Sequence, residues 1–322
     1  MAERIVVLAA DVGNTRLTVG MVDAAGRLLA SEQRDNPRGA GAAASLAVLG
    51  EMLRRAHGQA PLAQAVGVGF GGPVEVATGT VRRSHHTAGW EAVSLPRELE
   101  PILGLPVMVD NDANAGGLGE ALFGAGRQAH SLLYLNVGTG IGGAVLLDRR
   151  VHHGAHSNAG EIGHVVVQRE GGPRCTCEKT GCLEALASGD GLGAAARRAL
   201  EGDPALCSCL RDLPRAEVTG RTVSAAAGAG DALALRVLRE AGGWLGFAAA
   251  AACNVLDPEL VVVGGGVSEG HPAYLEAARE AFVVYATPPV AAATRIVPAQ
   301  LGYQAGVIGA GAVALQALHA VQ

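Results

Sequence analysis

Short apolar runs rich in β-branched residues recur along the chain, each closed by glycine or a turn residue. They are IVVLAADVG from residue 5, RLTVGMVD from 16, QAVGVGFGG from 64, PVMVDND from 106, SLLYLNVG from 131, GGAVLLD from 142, GHVVV from 163 and ELVVVGGG from 259. Runs of this length and bounding predict strands. Between them lie Ala/Leu/Arg segments of helical length, AAASLAVLGEMLRRAHG from residue 42 and DALALRVLREAGGWLGFAAAAACNVL from 231. Strands mixed with helices predict an α/β fold. The 47 glycines are spread among strand ends, where they punctuate turns instead of forming a linker.

One internal repeat organises this pattern. The stretches DVGNTRLTVGMVDAAGRL from Asp11 and NVGTGIGGAVLLDRRV from Asn136 both read as strand, V-G-x-T turn, second strand and charged turn. A hairpin repeated at the head of each half predicts a duplicated lobe, with two glycine turns facing one another across a hinged cleft. Residues 1–118 would form the smaller lobe, together with a returning C-terminal helix at 305–322, and residues 119–304 the larger one.

Composition narrows the class. With 49% hydrophobic and 17% charged residues, the chain buries enough apolar surface to exclude disorder. A net charge of -5 without a Lys/Arg stripe leaves no electrostatic footprint for nucleic acid or an anionic membrane. The apolar run before Asp11 is too short for a signal or a membrane span, and that from Gly242 to Val255 reads as a core helix. A cytoplasmic protein with small-molecule partners is the expectation.

Two stretches match G-x-G-x-x-G, at Gly67-Gly69-Gly72 and Gly138-Gly140-Gly143, but the chain after each continues extended. A dinucleotide fingerprint needs a helix N-terminus there, so that reading fails, and no P-loop sequence occurs. The two hairpin turns remain as a phosphate site. Their glycines let backbone N–H groups approach phosphate oxygens, while Asn14, Thr15 and Thr139 add donors. Asp11, at the end of a strand beside the first turn, is placed to hold hydrated Mg²⁺ against those phosphates.

Asp110, Asn111, Asp112 and Asn114 follow another strand and precede a helix. Asp110 and Asn114 read as helix caps, and Asn111 and Asp112 as groups that meet a substrate's hydroxyl and its proton. Cys175-x-Cys177-x₄-Cys182 offers three thiolates of a tetrahedral zinc site. His164, or the pair Cys207 and Cys209, would supply the fourth ligand; Cys253 sits in an apolar helix and reads as core.

Taken together, DVGNT from Asp11, NVGTGIGGAVLLDRRVHHGAHSNAGEIGH from Asn136 and RCTCEKTGCLEALASG from Arg174 resemble the ROK family of repressors and kinases over nearly the whole chain. The resemblance implies a two-lobed, actin-like (ribonuclease H-like) ATPase fold, a duplicated mixed sheet flanked by helices. By that resemblance Asp112 matches the catalytic base, and Asn111, Glu161, His164 and Glu184 match groups that hold sugar hydroxyls. It makes His164 the fourth ligand of a structural Zn²⁺, beside Cys175, Cys177 and Cys182. Gly13, Asn14, Thr15, Gly138, Thr139 and Gly140 fall on its phosphate turns, and Gly264, Gly265 and Gly266 on the turn under adenosine. Two departures bear on sugar choice: His86 stands where family kinases carry an Asn, and Gly71-Gly72-Pro73 replaces their P-G-P.

The activity so implied is transfer from MgATP to a hydroxyl, the 6-hydroxyl, of a hexose or N-acetylhexosamine, by a homodimer or homotetramer. The rival reading is a sugar-sensing ROK regulator or a non-catalytic sugar-binding protein. Those repressors carry a DNA-binding domain ahead of the first strand, whereas here that strand begins near residue 4. Loss of zinc is expected to disturb the sugar contacts of His164, Glu161 and Glu184 before ATP binding.

Overall fold

The computed structural model describes residues 5–84 and 87–319. His86 therefore lies outside the described residues. The strands are β1 (Val6–Val12), β2 (Arg16–Asp23), β3 (Leu28–Asp35), β4 (Val66–Phe70), β5 (Val74–Glu75), β6 (Thr80–Val81), β7 (Val107–Asn111), β8 (Leu132–Val137), β9 (Ile141–Leu147), β10 (Arg150–Val151), β11 (Leu260–Gly264) and β12 (Arg295–Pro298). The helices are α1 (Gly41–Gln59), α2 (Leu95–Leu103), α3 (Asp112–Phe123), α4 (Leu183–Ala187), α5 (Gly189–Gly202), α6 (Gly220–Gly228), α7 (Ala232–Leu256), α8 (Gly266–Gly270), α9 (Pro272–Tyr285), α10 (Pro288–Ala293) and α11 (Ala305–Ala317).

Two sheets share one plan. The first runs β3-β2-β1-β4-β7 and the second β10-β9-β8-β11-β12. In the first, β1 pairs antiparallel with β2 and parallel with β4, and β4 pairs parallel with β7. In the second, β8 pairs parallel with β11, β11 parallel with β12, and β9 antiparallel with β10. The hairpin repeat in the sequence is thus a repeat of sheet topology. Buried on both faces, β4 and β11 are the continuous apolar runs VGVGF and LVVVG, as central parallel strands require.

The chain divides into two compact units: Met1–Ser131, Ala144–Gly160 and Gln300–Gln322 make the first, and Leu132–Gly143 with Glu161–Ala299 the second. In the first, α11 is built almost wholly of Ala, Gly, Val, Ile and Leu, and its buried side packs on the sheet and on α3. The packing is backbone-close. A Cβ on Gly67 would lie 1.8 Å from the Ala310 carbonyl oxygen, and one on Gly309 2.1 Å from that of Ala115. The fully buried carboxylate of Glu120 on α3 accepts the N–H groups of Ala125 at 2.8 Å, Gln300 at 2.9 Å and Leu301 at 2.7 Å, so the segment that delivers α11 is tied to α3. In the second unit α7 and α9 use the same device, since Gly242 and Gly246 face the Tyr274 and Ala278 carbonyls at a would-be Cβ distance of 2.1 Å each. α7 ends at Leu256, with Asp257 at a φ of 47°, and Cys253 is buried within it. Among the described residues no helix is long and apolar enough to cross a membrane.

Two strand readings change. GHVVV is not a strand: Ile162–His164 form a 3₁₀ turn, and Val165 and Val166 are 45% and 51% exposed. The valines carry β propensity, but the Val167 and Gln168 N–H groups both bond the Gly181 carbonyl, which ties them to a loop instead of a ladder. β3, LLASEQRD, has no apolar run to announce it; it is an exposed edge strand paired to β2.

Replacing Gly67 with Ala should lower unfolding free energy by at least about 2 kcal/mol, because the new methyl meets backbone and has no side chain to displace. Urea denaturation monitored by circular dichroism measures it.

Candidate active site

In the first unit, the turn after β1 is built before anything binds to it. The Gly13 N–H bonds the Arg16 carbonyl at 3.0 Å. The Asn36 side chain donates to the Gly13 carbonyl at 2.8 Å, its N–H to the Thr15 carbonyl at 2.9 Å, and the Ser45 hydroxyl donates to the Asn36 side-chain oxygen at 2.6 Å. Asn36 and Ser45 thus brace the turn, although nothing local in the sequence marks either. Among the described residues the buried Asn14 Oδ1 has no protein partner.

Asp11, Gly69 and Asp110 lie abreast on β1, β4 and β7. Burial, reinforced by the nearby Asp112 carboxylate, pushes Asp11 up to about 7. Gly71 spans the space between turn and acid: a Cβ there would lie 3.3 Å from the Val12 oxygen, 3.5 Å from Asp112 Oδ2 and 3.8 Å from Gly13 Cα. The Asp112 carboxylate and the turn after β1 are therefore separated by little more than one absent side chain.

The capping assignment moves by one residue. Asn111 is the N-cap of α3, its Oδ1 accepting Ala113 N–H at 2.9 Å and Asn114 N–H at 3.3 Å, while its Nδ2 donates to the Gly72 carbonyl at 3.2 Å. Asp110 and Asn114 do not cap. The buried Asp110 Oδ1 accepts the Asn111 N–H and the Asn114 side-chain amide, both at 2.8 Å. Its Oδ2 meets His153 Nε2 at 2.7 Å. A strand residue still points its side chain across the sheet end, so the first residue able to turn back onto the helical N–H groups is Asn111.

In the second unit, the turn at Gly138, Thr139 and Gly140 is held by the α4–α5 junction. Gly189 N–H donates to the Gly138 carbonyl at 2.8 Å, and Asp190 N–H to that of Thr139 at 3.2 Å. Glu184 accepts the Ile141 N–H through Oε2 at 3.0 Å and the Thr176 hydroxyl through Oε1 at 2.9 Å. Gly265 has a φ of 95°, and a Cβ on it would lie 2.5 Å from the Val137 oxygen, so glycine is required between Gly264 and Gly266 at the start of α8.

His164, Cys175, Cys177 and Cys182 bring four ligand atoms within 4.8 Å of one another. Cys175 Sγ lies 3.6 Å from His164 Nδ1, and Cys177 Sγ 3.6 Å from Cys182 Sγ. Tetrahedral ligands at zinc's bond lengths of about 2.0–2.3 Å would stand roughly 3.5–3.8 Å apart, so the donor set fits that ion. Cys207 and Cys209 are exposed and outside the group. Burial pushes Cys175 up, and Cys182 up to about 12; for Cys177 burial acts in the same sense but is outweighed by the Lys179 N–H and the neighbouring thiols, and it falls. His164 Nε2, the other ring nitrogen, lies 3.9 Å from Glu161 Oε2.

The sequence pattern of the ROK family matches residues 7–317. The chain belongs to that family. It is 37% identical to a glucokinase of Halalkalibacterium halodurans over 305 residues, 94% of this chain and 92% of that one. A ROK family glucokinase from Streptomyces griseus, solved with glucose and AMPPNP, superposes with a TM-score of 0.84 at 31% identity, covering 97% of this chain and 99% of that one. A putative xylose repressor of a Caldicellulosiruptor species is 33% identical over 220 residues, 68% of this chain but 54% of that repressor.

Asp11 carries a testable charge. Its folded value lies above the ordinary 3.8, so the folded protein keeps this proton when the unfolded chain has lost it. The ligand-free protein should lose stability from about pH 4 to about pH 7 on this account and stay level above. Asp11→Asn should remove the effect, its advantage growing through that window to at least about 1 kcal/mol at pH 8. Denaturation of both proteins across pH, without nucleotide or Mg²⁺, measures the difference.

Proposed function

We propose that this protein transfers the γ-phosphoryl group of ATP to a hexose or N-acetylhexosamine hydroxyl, the 6-hydroxyl, with Asp112 as general base. The observation that carries the reading is the short span across Gly71 from the first phosphate turn to the Asp112 carboxylate. A sugar hydroxyl ionises far above neutral pH, so it needs a positioned acceptor as its oxygen bonds to phosphorus. The O–P bond forms, the bridging P–O bond to the β-phosphate breaks, the hydroxyl proton passes to Asp112, and ADP leaves. Asn14, Thr15 and Thr139, with the Gly140 N–H, are assigned to the phosphates; Gly13 and Gly138 close the two turns, their N–H groups bonded to the Arg16 and Gly140 carbonyls at 3.0 Å each, and Gly264–Gly266 are assigned to the nucleoside. Asp11 is the residue that would hold a hydrated Mg²⁺, which when bound would supply positive charge to the phosphate oxygens.

Asn111, Glu161, His164 and Glu184 are assigned to the sugar's hydroxyls. Asn111 reaches that role already fixed on both sides, by the α3 cap and by Gly72. The His164 and cysteine set is assigned to Zn²⁺; four protein ligands leave no open coordination position, so the ion supplies rigidity. If a zinc ion took one ring nitrogen of His164, the other would remain as an N–H donor toward a hydroxyl.

The likeness to a xylose repressor carries a second reading, sugar-dependent regulation without phosphotransfer. An ADP-release assay across glucose, mannose, allose, fructose and the N-acetylhexosamines separates the two. Release with at least one sugar is the kinase result, whereas sugar binding without any release is the regulator result. Asp112→Asn should lower kcat by at least about 10²-fold with sugar affinity within a few-fold. A near-normal kcat would remove Asp112 from its role.

Glu184 changes what loss of the metal should do. Because its carboxylate bonds both Thr176 in the cysteine loop and Ile141 N–H beside Gly140, the loop is tied to the second phosphate turn as well as to the sugar groups. Cys177→Ala should therefore lower zinc content by elemental analysis, raise sugar KM, and also weaken AMPPNP binding by roughly 3–10-fold in calorimetry. Unaltered nucleotide affinity in the zinc-free protein would show that the Glu184 contacts do not transmit the change.

A further inference from the structure

Asp110 is 3% exposed, and a buried carboxylate is costly unless it is paired and hydrogen-bonded. Its bonds are disposed in a particular way. Oδ1 holds the backbone N–H of the cap residue Asn111 and the side chain of Asn114, so it grips the first turn of α3 at two points on either side of Asp112. Oδ2 meets His153 Nε2 at 2.7 Å, an ion pair when the imidazole is protonated. His153 comes from the loop after β10, 43 residues along the chain, and its own carbonyl is fixed by the Ala159 N–H at 3.1 Å.

We propose that His153 is a positioning residue for the base: as an imidazolium it neutralises Asp110 and locks the first turn of α3, and on deprotonation that turn loosens. The proposal rests on the reading of Asp112 as base, but its core, the charge state of the Asp110–His153 pair, can be measured apart from it.

Solvent reaches the pair. Asp110 and His153 both line a cavity of about 690 Å³ whose other titratable walls are Glu100, Arg150 and His319. Glu100 and Arg150 bring opposite charges to that cavity, and Asp110 is the charged group that acts on His153. Glu100 also accepts the Val107 N–H through Oε1 at 3.1 Å. On α3 the acidic groups are Asp112 and Glu120, the latter committed to the N–H groups of Ala125, Gln300 and Leu301. His152 and His156 stand on the loop of His153 itself. The hydrogen bond to Asp110 raises His153 above its ordinary value, against burial, which acts to lower it. The sign follows: the pair's contribution is complete below about pH 6.5, the unfolded value, and is lost as pH rises through the raised folded one.

The test compares wild type with His153→Gln, whose amide can donate to Asp110 without titrating, and His153→Leu, which cannot donate. The single-turnover phosphoryl-transfer rate of the wild type should fall on the alkaline side as the positive charge is lost; His153→Gln, an uncharged donor at every pH, should run near the wild type's alkaline rate throughout and lack that limb. His153→Leu should be slower by about 10-fold or more at every pH, with nucleotide KM within about 3-fold. Imidazole ¹⁵N shifts give the readout independent of catalysis: the His153 midpoint should drop toward the ordinary value in Asp110→Asn. An alkaline limb unchanged in His153→Gln, or a His153 midpoint indifferent to Asp110→Asn, would overturn the proposal. If Asp112→Asn retained activity while the His153 midpoint still moved with Asp110, the base assignment would fail and the pair would stand.

Discussion

The first unit depends on how closely α11 can approach its neighbours. Ordinary packed helices and sheets keep a layer of side chains between backbones, but here Gly67 and Gly309 let carbonyl groups of α11 and α3 occupy the place of a Cβ. The consequence is positional. With no side-chain layer to repack, α11 has essentially one seat, and Gly306 near its start leaves room for the Asp11 carboxylate, which would lie 2.5 Å from a Cβ at that position. Glu120 locks the same arrangement from the other side through the N–H groups of Gln300 and Leu301. Asp11 and Asp112, the two acidic groups to which the proposed function gives roles, therefore stand on elements whose separation is set by backbone contact. Side-chain fit has little part in it.

Such rigidity suits a site that must hold two carboxylates close together. Asp112 helps to raise Asp11, and the proximity costs folding free energy when the site is empty. In the proposed function a metal-bound polyphosphate would offset that cost by supplying positive charge beside Asp11. The cost would then fall where the proposed ligand binds, a common relation between local destabilisation and function.

Much of this was legible in the sequence because it is local. A strand that ends in D-V-G-N-T announces its own turn, and two such hairpins announced the duplicated sheet before any long-range contact was known. The cysteine spacing likewise placed three ligands within eight residues. What was illegible involves partners brought together only by the fold. Asn36 and Ser45 brace the first turn from 23 and more residues away, and His153 reaches Asp110 across 43, with no periodicity to mark either pairing. The capping shift from Asp110 to Asn111 is a different failure: composition identified the cluster, but only the direction in which β7 leaves the sheet decides which side chain can fold back. GHVVV misled because β-branched residues report a preference for extended backbone, not the presence of a neighbouring strand.

Different means hold the two glycine turns still, which is what the proposed phosphate role would ask of each. In the first unit a buried amide and hydroxyl, Asn36 and Ser45, do so from within the sheet's own surroundings. The second turn is held by Glu184 and by the N–H groups of Gly189 and Asp190, all on a segment that begins at Cys182. That segment starts in a loop with three cysteines and few apolar anchors, which a hydrophobic core cannot fix. The closed four-ligand metal site proposed for His164 and the three cysteines would do so, because its bond lengths would leave the loop little freedom. In that proposal the cysteines serve the second turn as a substitute for a core, standing where Asn36 and Ser45 stand for the first.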